Sequence, residues 1–340
     1  MNPLRLWNAF WFGPISARPL GVFRVVLGLL TLAHLGMLTV DVDHWLTDQG
    51  LLRGTEALEL AGPLRPSPLL WIQDPISVRA FLAGSAVVAL AVTVGWRTRI
   101  TSALLYLAIL SIHQRNLPTN SGPDNLLLIL LFYLMLSPSG AAHSLDARRL
   151  ARRRGASAEP LIVPWAQRLI QIHLCLIYFD TSVLKCSGTT WLDGTALHYV
   201  LYNHEVGRFD FSFLAQYPIL INAMTHLALL VEFALAFLLW FRVTRPWTAM
   251  LGLGLHAGIL AVVNVPLFGE LMAACYLTFL TPQELDATLR TVNPRHWWAR
   301  RPERALPASV RVDGPERLQG PHDLGEVVAS DAPGNASRAV

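Results

Sequence analysis

Long apolar blocks separated by short polar segments constrain the fold of this chain more than any other feature. Several blocks approach the roughly 20 residues that a helix needs to cross a bilayer. Lipid offers no water to the backbone, so a spanning segment must satisfy its own hydrogen bonds, as a helix does. Only 15% of the residues are charged, against about 25% in a soluble domain. The pattern predicts an all-α, polytopic integral membrane helical bundle with about eight transmembrane helices. The predicted spans lie at about 19–40, 77–95, 98–113, 125–138, 166–184, 218–241, 247–265 and 267–281.

Arginines are concentrated near both chain ends and in the connections after the second, fourth and sixth blocks, as in "SLDARRLARRRG". Positive charge accumulates on the cytoplasmic side of a membrane protein, so both termini are predicted to be cytoplasmic. We expect a multi-pass protein of a cell membrane, such as the bacterial inner membrane. The expected partner is the lipid bilayer and not nucleic acid, because the basic residues flank apolar blocks. Residues 1–285 are predicted to form the membrane domain, and residues 286–340 a basic, mostly disordered cytosolic tail.

Lys185, in "YFDTSVLKCSGTTWLDG", is the one lysine among the 27 basic residues, and the others are arginine. Arginine stays protonated in proteins, whereas a lysine amine in a dry site can lose its proton and act as a general base. Tyr178, Thr181 and Ser182 share a helix face with Lys185 by their spacing, and this polar stripe predicts a substrate-binding pocket. The alternative is a structural lysine that extends to the membrane interface.

Ionisable residues inside spans are expensive. Arg24 in the first span and Glu232 in the sixth lie at similar depths, which predicts a structural ion pair between them. The histidines of the spans are scattered without ligand-like spacing, and the three cysteines are far apart, so no metal site is predicted. These histidines are His34, His113, His173, His226 and His256.

The chain resembles a known family, the HTTM (horizontally transferred transmembrane) domain, which forms the membrane half of the vitamin K-dependent gamma-carboxylases. The resemblance runs from about residue 14 to 285. It is carried by "RPLGVFRVVLGLL", "HWLTDQGLL", "RNLPTNSGPDNLLLILLFYLMLSPSG", "SLDARR", "QRLIQIHLCLIYFDTSVLKCSGTTWLDGTALHYVL" and "HAGILAVVNVPLF" in this order.

The resemblance implies that Lys185 is the catalytic base that deprotonates a vitamin K-type hydroquinone. It also places Asn120 near the position of a carboxylase histidine, and we expect the "NSGPDN" loop at 120–125 to lie against Lys185. The carboxylases hold their peptide substrate in a large extramembrane domain, whereas a short tail follows the last block here. Peptide carboxylation is therefore expected only with a partner that supplies this domain.

Two functions from different classes remain open. The first is a carboxylase-like membrane enzyme, a lyase or quinone-dependent enzyme, that acts on a lipophilic quinone or hydroquinone with Lys185 as proton acceptor. The second is a non-catalytic subunit that binds lipid or assists assembly beside a separate redox or substrate-binding protein. An enzyme should lose function when Lys185 is replaced by arginine, and a scaffold should tolerate that change.

Overall fold

The computed structural model describes residues 2–62, 67–72, 74–155, 159–203 and 205–292. The described helices belong to one unit, which ends at Val292. The predicted boundary at 285 is passed by the last described helix, which continues to Val292, and the remainder of the predicted tail lies outside the described residues.

Helices form most of the described structure. They are α1 Pro3–Phe12, α2 Arg18–Leu38, α3 Val42–Leu46, α4 Gly54–Ala61, α5 Pro75–Val94, α6 Thr98–Arg115, α7 Gly122–Leu136, α8 Leu145–Arg154, α9 Trp165–Cys186, α10 Thr189–Leu192, α11 Ala196–Tyr202, α12 Pro218–Leu238, α13 Arg245–Val262, α14 Phe268–Tyr276 and α15 Pro282–Val292. Short 3-10 turns lie at Pro68–Leu70, Leu117–Thr119, Ser139–Ala141, Ser212–Gln216 and Leu277–Phe279. Two short strands, β1 Ile15–Ser16 and β2 Leu161–Ile162, pair antiparallel, with Ile15 opposite Ile162.

Each predicted apolar block is a helix, and four of these helices are long and apolar enough to cross a membrane within the described ranges: α2, α5, α9 and α12. Helix α7 and the segment Phe268–Phe279 are apolar but shorter. Helix α6 has sufficient length, but Arg99 and Arg115 near its two ends reduce its hydropathy. The chain is therefore a helical membrane protein, while the count of eight spans and the orientation of the termini stay predictions.

Helix α2 contacts α5, α7 and α14, while α9 packs against α7 and α12. Gly28 permits the close approach of α2 to α5, because a Cβ atom at this position would lie 2.3 Å from Oγ1 of Thr93 on α5. Small residues allow such close backbone contacts between membrane helices. The core between the helices is apolar and includes Phe23, Leu27, Leu105, Ile109, Leu130, Leu131 and Leu174.

Asp146, at the start of α8, caps the N-terminus of a different helix, α6. Its carboxylate accepts hydrogen bonds from the backbone amides of Arg97 and Thr98 at 2.9 and 2.7 Å, and from the Thr98 hydroxyl at 2.7 Å. The Asp146 amide in turn donates to the carbonyl of Gly95 at 3.0 Å. Gly95 has a φ of +73°, which glycine adopts without strain. The turn between α5 and α6 is thus fastened to α8.

Replacing Asp146 by alanine should lower the free energy of unfolding by about 1–2 kcal/mol, because the amides at the start of α6 lose their cap. Burial raises the pKa of the Asp146 carboxyl, but the hydrogen bonds from Thr98 and Arg97 outweigh burial and leave that pKa below its ordinary value. A lowered pKa in the folded state means that this stabilisation is present at neutral pH. It is lost as the pH falls through the folded-state value.

Thermal unfolding in detergent at about pH 7 and about pH 3 measures this effect, since an unperturbed aspartate titrates near pH 3.9. The difference between the wild type and Asp146→Ala should shrink at the lower pH. Asp74→Ala serves as the control, because Asp74 caps its own helix, where its carboxylate accepts a hydrogen bond from the Ser77 amide at 2.9 Å. Equal losses for the two variants at both pH values would contradict the inter-helix role of Asp146.

Candidate functional site

Lys185 lies at the C-terminal end of α9, and its side chain points back into the bundle. Side chains lean toward the N-terminus of their helix, so this amine is directed away from the nearby helix end. Helix α12 runs antiparallel beside α9: Cys175 contacts the carbonyl of Leu235, whereas the segment after α9 contacts Asn222 near the start of α12. Glu232 leans toward the start of α12, so the two side chains converge. Lys185 Nζ and Glu232 Oε1 form an ion pair.

This ion pair is mostly removed from solvent, since the Lys185 side chain is 24% exposed and that of Glu232 is 8% exposed. The ring of Trp191 on α10 completes the surroundings of the amine, with its centroid 4.8 Å from Nζ. A cation over an indole face is an attractive contact. The segment that carries Trp191 is held in place because the Asn222 amide donates to the carbonyl of Asp193 at 2.9 Å.

A second polar group lies beside the pair and joins α9, α13 and α14. The Tyr178 hydroxyl is 2.7 Å from Nε2 of His256 and 2.5 Å from the Tyr276 hydroxyl. The charge of Lys185 acts on the His256 imidazole, and that of Glu232 acts on the Tyr178 phenol. Gly252 makes room for this group, because a Cβ atom there would lie 2.4 Å from the Tyr276 hydroxyl. The ion pair and the hydroxyl–imidazole group therefore form one electrostatic unit.

Two buried atoms of this unit have no hydrogen-bond partner among the described residues: Oε2 of Glu232 and Nδ1 of His256. A buried polar atom without a partner costs about 1–3 kcal/mol. In native proteins such atoms commonly mark a water, an ion or a catalytic role. The unit thus retains unused hydrogen-bonding capacity next to an ion pair.

An apolar cavity of about 760 Å³ reaches this unit at Tyr276. Residues of α2, α13, α14 and α15 line it, with Glu270, Arg245 and Glu284 as its charged members. Lys185 is not among its described lining residues. Cavities of about 300–1,000 Å³ lined by apolar side chains are typical of sites for small lipophilic ligands.

Residues 12–283 match the family model of the HTTM domain. The chain belongs to the HTTM family. A curated relative, the uncharacterized protein YitO of Bacillus subtilis strain 168, is 24% identical over 208 residues, which cover 58% of this chain. The matched region spans 65% of the length of that relative. No solved structure matches the chain.

Of the residues that the sequence predicted for the site of this HTTM protein, Tyr178 and Ser182 are buried and Thr181 is partly buried. Their α9 positions do share a face with Lys185. The hydroxyls of Thr181 and Ser182, however, donate to backbone carbonyls of their own helix, to Ile177 at 2.8 Å and to Tyr178 at 2.7 Å. They are therefore available to a ligand mainly as acceptors.

Asn120 lies in different surroundings from those predicted for it. Its amide donates to the backbone carbonyl of His113 at 3.0 Å, and it lines a cavity together with His34, His113 and Asp124. Hydrogen bonds within the "NSGPDN" loop and at its edges hold the loop against α6. The described partners of Lys185 are on α10 and α12.

The predicted ion pair between Arg24 and Glu232 is wrong, because the structure gives each side chain another partner. Arg24 is 0% exposed, and its guanidinium donates to the carbonyls of Ser139, Ala142 and His143 at 2.8, 3.2 and 2.6 Å. Peptide carbonyl oxygens accept hydrogen bonds from a guanidinium, so several of them together can replace a carboxylate. Glu232 is left to Lys185.

His256, Tyr276 and Trp191 were missed by the sequence analysis. Trp191 lies six residues after Lys185 in the quoted stretch. Its position just beyond the end of the helix could have indicated that its ring packs against the lysine side chain. His256 was noted only as a scattered histidine. Its approach to Tyr178 depends on the packing of α13 and α14, which no local pattern reports.

A double-mutant cycle on Lys185→Met and Glu232→Gln should show coupling above about 1 kcal/mol in thermal unfolding in detergent. Each single change leaves a poorly solvated charge without its partner, whereas the double change removes both charges. The matched control is a cycle on Arg24→Met and Glu232→Gln, which should be additive. Additive effects in the Lys185 cycle would contradict the Lys185–Glu232 pair. Coupling in the Arg24 cycle would support the Arg24–Glu232 pair instead.

Proposed function

We propose that this HTTM protein is a membrane enzyme that removes a proton from a lipophilic hydroquinone, as the carboxylases that it resembles do. The observation that carries the proposal is the pairing of the one lysine with a buried carboxylate beside a hydroxyl–imidazole group. A vitamin K-type hydroquinone would supply an acidic hydroxyl and, after deprotonation and reaction with oxygen, a stronger base. The residues of this chain would accept the proton that the hydroquinone hydroxyl loses in the first step.

Lys185 and Glu232 can share a proton between Nζ and Oε1 without any change in their total charge. In a poorly solvated site two separate charges are expensive, so transfer of the lysine proton to Glu232 is accessible there. The resulting neutral amine then accepts the proton of a bound hydroxyl, forming an N–H bond as the O–H bond breaks. The new ammonium compensates the negative charge that remains on the oxygen. Arginine cannot perform this step, since its guanidinium does not lose a proton in proteins.

Trp191 and the hydroxyl–imidazole group prepare the surroundings of this transfer. Trp191 covers the amine and limits access of water, which strengthens the electrostatic interactions inside the site. Tyr178, Tyr276 and His256 offer hydroxyl and ring-nitrogen atoms that can orient a polar ring. Oε2 of Glu232 can accept a further hydrogen bond, and Nδ1 of His256 can donate or accept one according to the tautomer of the ring.

A quinone-type cofactor has a polar ring and an apolar tail, and the polar unit and the apolar cavity beside it match these two parts. The apolar cavity of about 760 Å³ can hold an isoprenoid-like tail, and it meets the polar unit at Tyr276. Val26, Leu30, Met250 and Leu253 line the cavity along α2 and α13. These residues would hold the tail, while Tyr276 would mark its polar end.

One observation favours the second candidate, a non-catalytic subunit that binds lipid or assists assembly. The large cavity is almost wholly apolar, and its described lining does not include Lys185. Such a cavity can hold a lipid without any chemistry. In that case a separate redox or substrate-binding protein would perform the reaction, as it would for any peptide carboxylation.

The deciding experiment uses the full chain purified in detergent. Lipids that co-purify are identified by mass spectrometry, and a vitamin K-type hydroquinone is then added while oxygen uptake and oxidised product are followed. The enzyme proposal expects a bound quinone and uptake above the rate without protein. A bound lipid of another class together with no uptake would support the subunit. Neither ligand nor uptake would overturn both candidates.

We also propose that the arginine-rich α8 faces the cytoplasm of a bacterial inner membrane, with both termini on the same side. The distribution of arginines supports this orientation. Alkaline phosphatase fused after residue 60 should be active, and the same enzyme fused after residue 155 should be inactive. Alkaline phosphatase activity of the fusion after residue 155 would contradict this orientation.

A further inference from the structure

A cluster separate from the lysine site brings together three side chains from three helices. His34 lies near the end of α2, His113 near the end of α6 and Asp124 in the first turn of α7. The Nε2 atoms of the two histidines are 3.4 Å apart. Asp124 Oδ1 lies 3.8 Å from Nδ1 of His34 and 4.0 Å from Nε2 of His113. The three helix ends meet at the end of the bundle opposite α8.

We propose that His34, His113 and Asp124 bind a divalent transition-metal ion of the zinc class. Two imidazoles and one carboxylate are a common ligand set for such ions, with the remaining coordination position open to water or substrate. One ligand atom from each residue lies within 4.8 Å of the others. This assignment is independent of the function proposed for Lys185.

The spacing of the two imidazoles favours a shared ion over a direct hydrogen bond. An N–H donor usually lies about 2.9–3.0 Å from its acceptor, and the observed 3.4 Å is long for that contact. Two nitrogens on one tetrahedral zinc ion, each about 2.0–2.1 Å from the metal, are about 3.3 Å apart. The carboxylate oxygen lies 4.0 Å from Nε2 of His113 and would have to move closer to share the same ion.

Ser121 holds the Asp124 carboxylate in the orientation that a metal ligand needs. Its backbone amide and hydroxyl donate to Oδ2 of Asp124 at 2.8 and 2.7 Å. The other oxygen, Oδ1, faces the histidines. Outer hydrogen bonds of this kind fix the direction of a ligating carboxylate.

His113 supplies an independent indication of a ligand. Its side chain is 6% exposed, and its Nδ1 atom is buried without a hydrogen-bond partner among the residues that the structure describes. The ring can therefore carry its proton on Nδ1 and present the lone pair of Nε2 toward His34. When His34 carries its proton on Nδ1, the nitrogen nearer Asp124, its Nε2 lone pair faces that of His113, and a cation between the two nitrogens removes their repulsion.

A cavity of about 370 Å³ adjoins the cluster and gives the metal an open side. All three ligands line it, together with the amide side chains of Asn116, Asn120 and Asn264. These amides can bind a polar molecule beside the ion. A closed structural site would lack such a space, so the arrangement matches a metal with an exchangeable ligand.

The test uses the full chain in detergent, first treated with a chelator and then titrated with Co²⁺ alone. One equivalent should bind with the visible absorption of a low-symmetry, four- or five-coordinate cobalt site, and equimolar Zn²⁺ should displace it. His34→Ala, His113→Ala and Asp124→Asn should each weaken Co²⁺ binding at least tenfold. His173→Ala is the control, because His173 contacts Tyr133 in another part of the bundle.

Asp124→Asn guards against a folding artefact, since an asparagine oxygen can still accept the Ser121 hydrogen bonds. Circular dichroism should show an unchanged helical content for this variant. Absence of a cobalt spectrum in the wild type would overturn the proposal. So would binding that survives all three ligand changes, or binding that the His173 change weakens equally. None of these readouts depends on hydroquinone turnover, so failure of the metal site and failure of the lysine enzyme are distinguishable.

Discussion

Lys185→Arg should abolish hydroquinone-dependent oxygen uptake while the protein stays folded. The variant keeps the positive charge, the Glu232 partner and the contact with Trp191, but its guanidinium cannot accept a proton. Loss of a general base typically reduces the rate by a factor of about 10²–10⁴. Oxygen uptake by the purified variant, at matched protein and hydroquinone concentrations, measures the change.

The reverse substitution, Arg97→Lys, is the matched control. Arg97 is also a cation over an indole, with its guanidinium 5.4 Å from the Trp96 ring, and it lies outside the site. Its replacement by lysine should leave the rate within about a factor of two, because it removes no group from the proton path. If Lys185→Arg retained a tenth or more of the wild-type rate, the proton acceptor would have to be another residue.

Replacing Arg24 by methionine should lower the free energy of unfolding by about 3–5 kcal/mol, the largest loss of stability that we expect for a single change. The variant removes a fully buried guanidinium and leaves the carbonyls of Ser139, Ala142 and His143 without this donor. Each buried group left unsatisfied costs about 1–3 kcal/mol. Thermal and denaturant unfolding in detergent measure the loss.

Arg24→Lys should lie between the wild type and Arg24→Met, because an ammonium can reach some of the carbonyls but lacks the planar fork. Arg79→Met is the control for loss of an arginine as such. Arg79 pairs with Asp43, both side chains are about half exposed, and exposed pairs contribute about 0–1 kcal/mol. Equal stabilities for Arg24→Met and Arg79→Met would mean that the carbonyl cradle contributes little.

The helices could be predicted from sequence because the bilayer requirement acts on each segment by itself. Every apolar block became a helix, with ends within a few residues of the prediction, since the same apolar run that favours lipid also favours internal hydrogen bonding. The short helices α10 and α11 carry no comparable signal. They form where the segment after Lys185 folds back against α12.

Side-chain pairings were harder to predict, as Glu232 illustrates. Comparison of depths along the helix axis placed it near Arg24. A comparison of backbone depths does not consider the direction of the side chains, which lean toward the start of each helix. On antiparallel helices this lean brings two residues together although their backbones are staggered. Applied to Lys185 and Glu232, the same rule would have found the pair.

The histidine cluster was beyond sequence reasoning for a different reason. His34 and His113 are 79 residues apart in the chain, and neither belongs to a ligand-like motif. They meet because α2, α6 and α7 are neighbours in the bundle, which is a property of the assembled fold. Spacing rules for metal sites detect ligands on one helix or loop and not ligands from three helices.

The carbonyl cradle of Arg24 has a consequence for biosynthesis. Arg24 enters the membrane with the first long helix, but its acceptors at Ser139, Ala142 and His143 follow 115–119 residues later. At about 5–20 residues per second the ribosome needs several seconds or more to supply them. We therefore expect this helix to reach its final depth only after these acceptors have been synthesised. Ribosome-bound chains arrested before and after residue 143 should differ in the access of water-soluble reagents to a cysteine beside Arg24. The final position of the first long helix in the bilayer should thus depend on a segment from the middle of the chain.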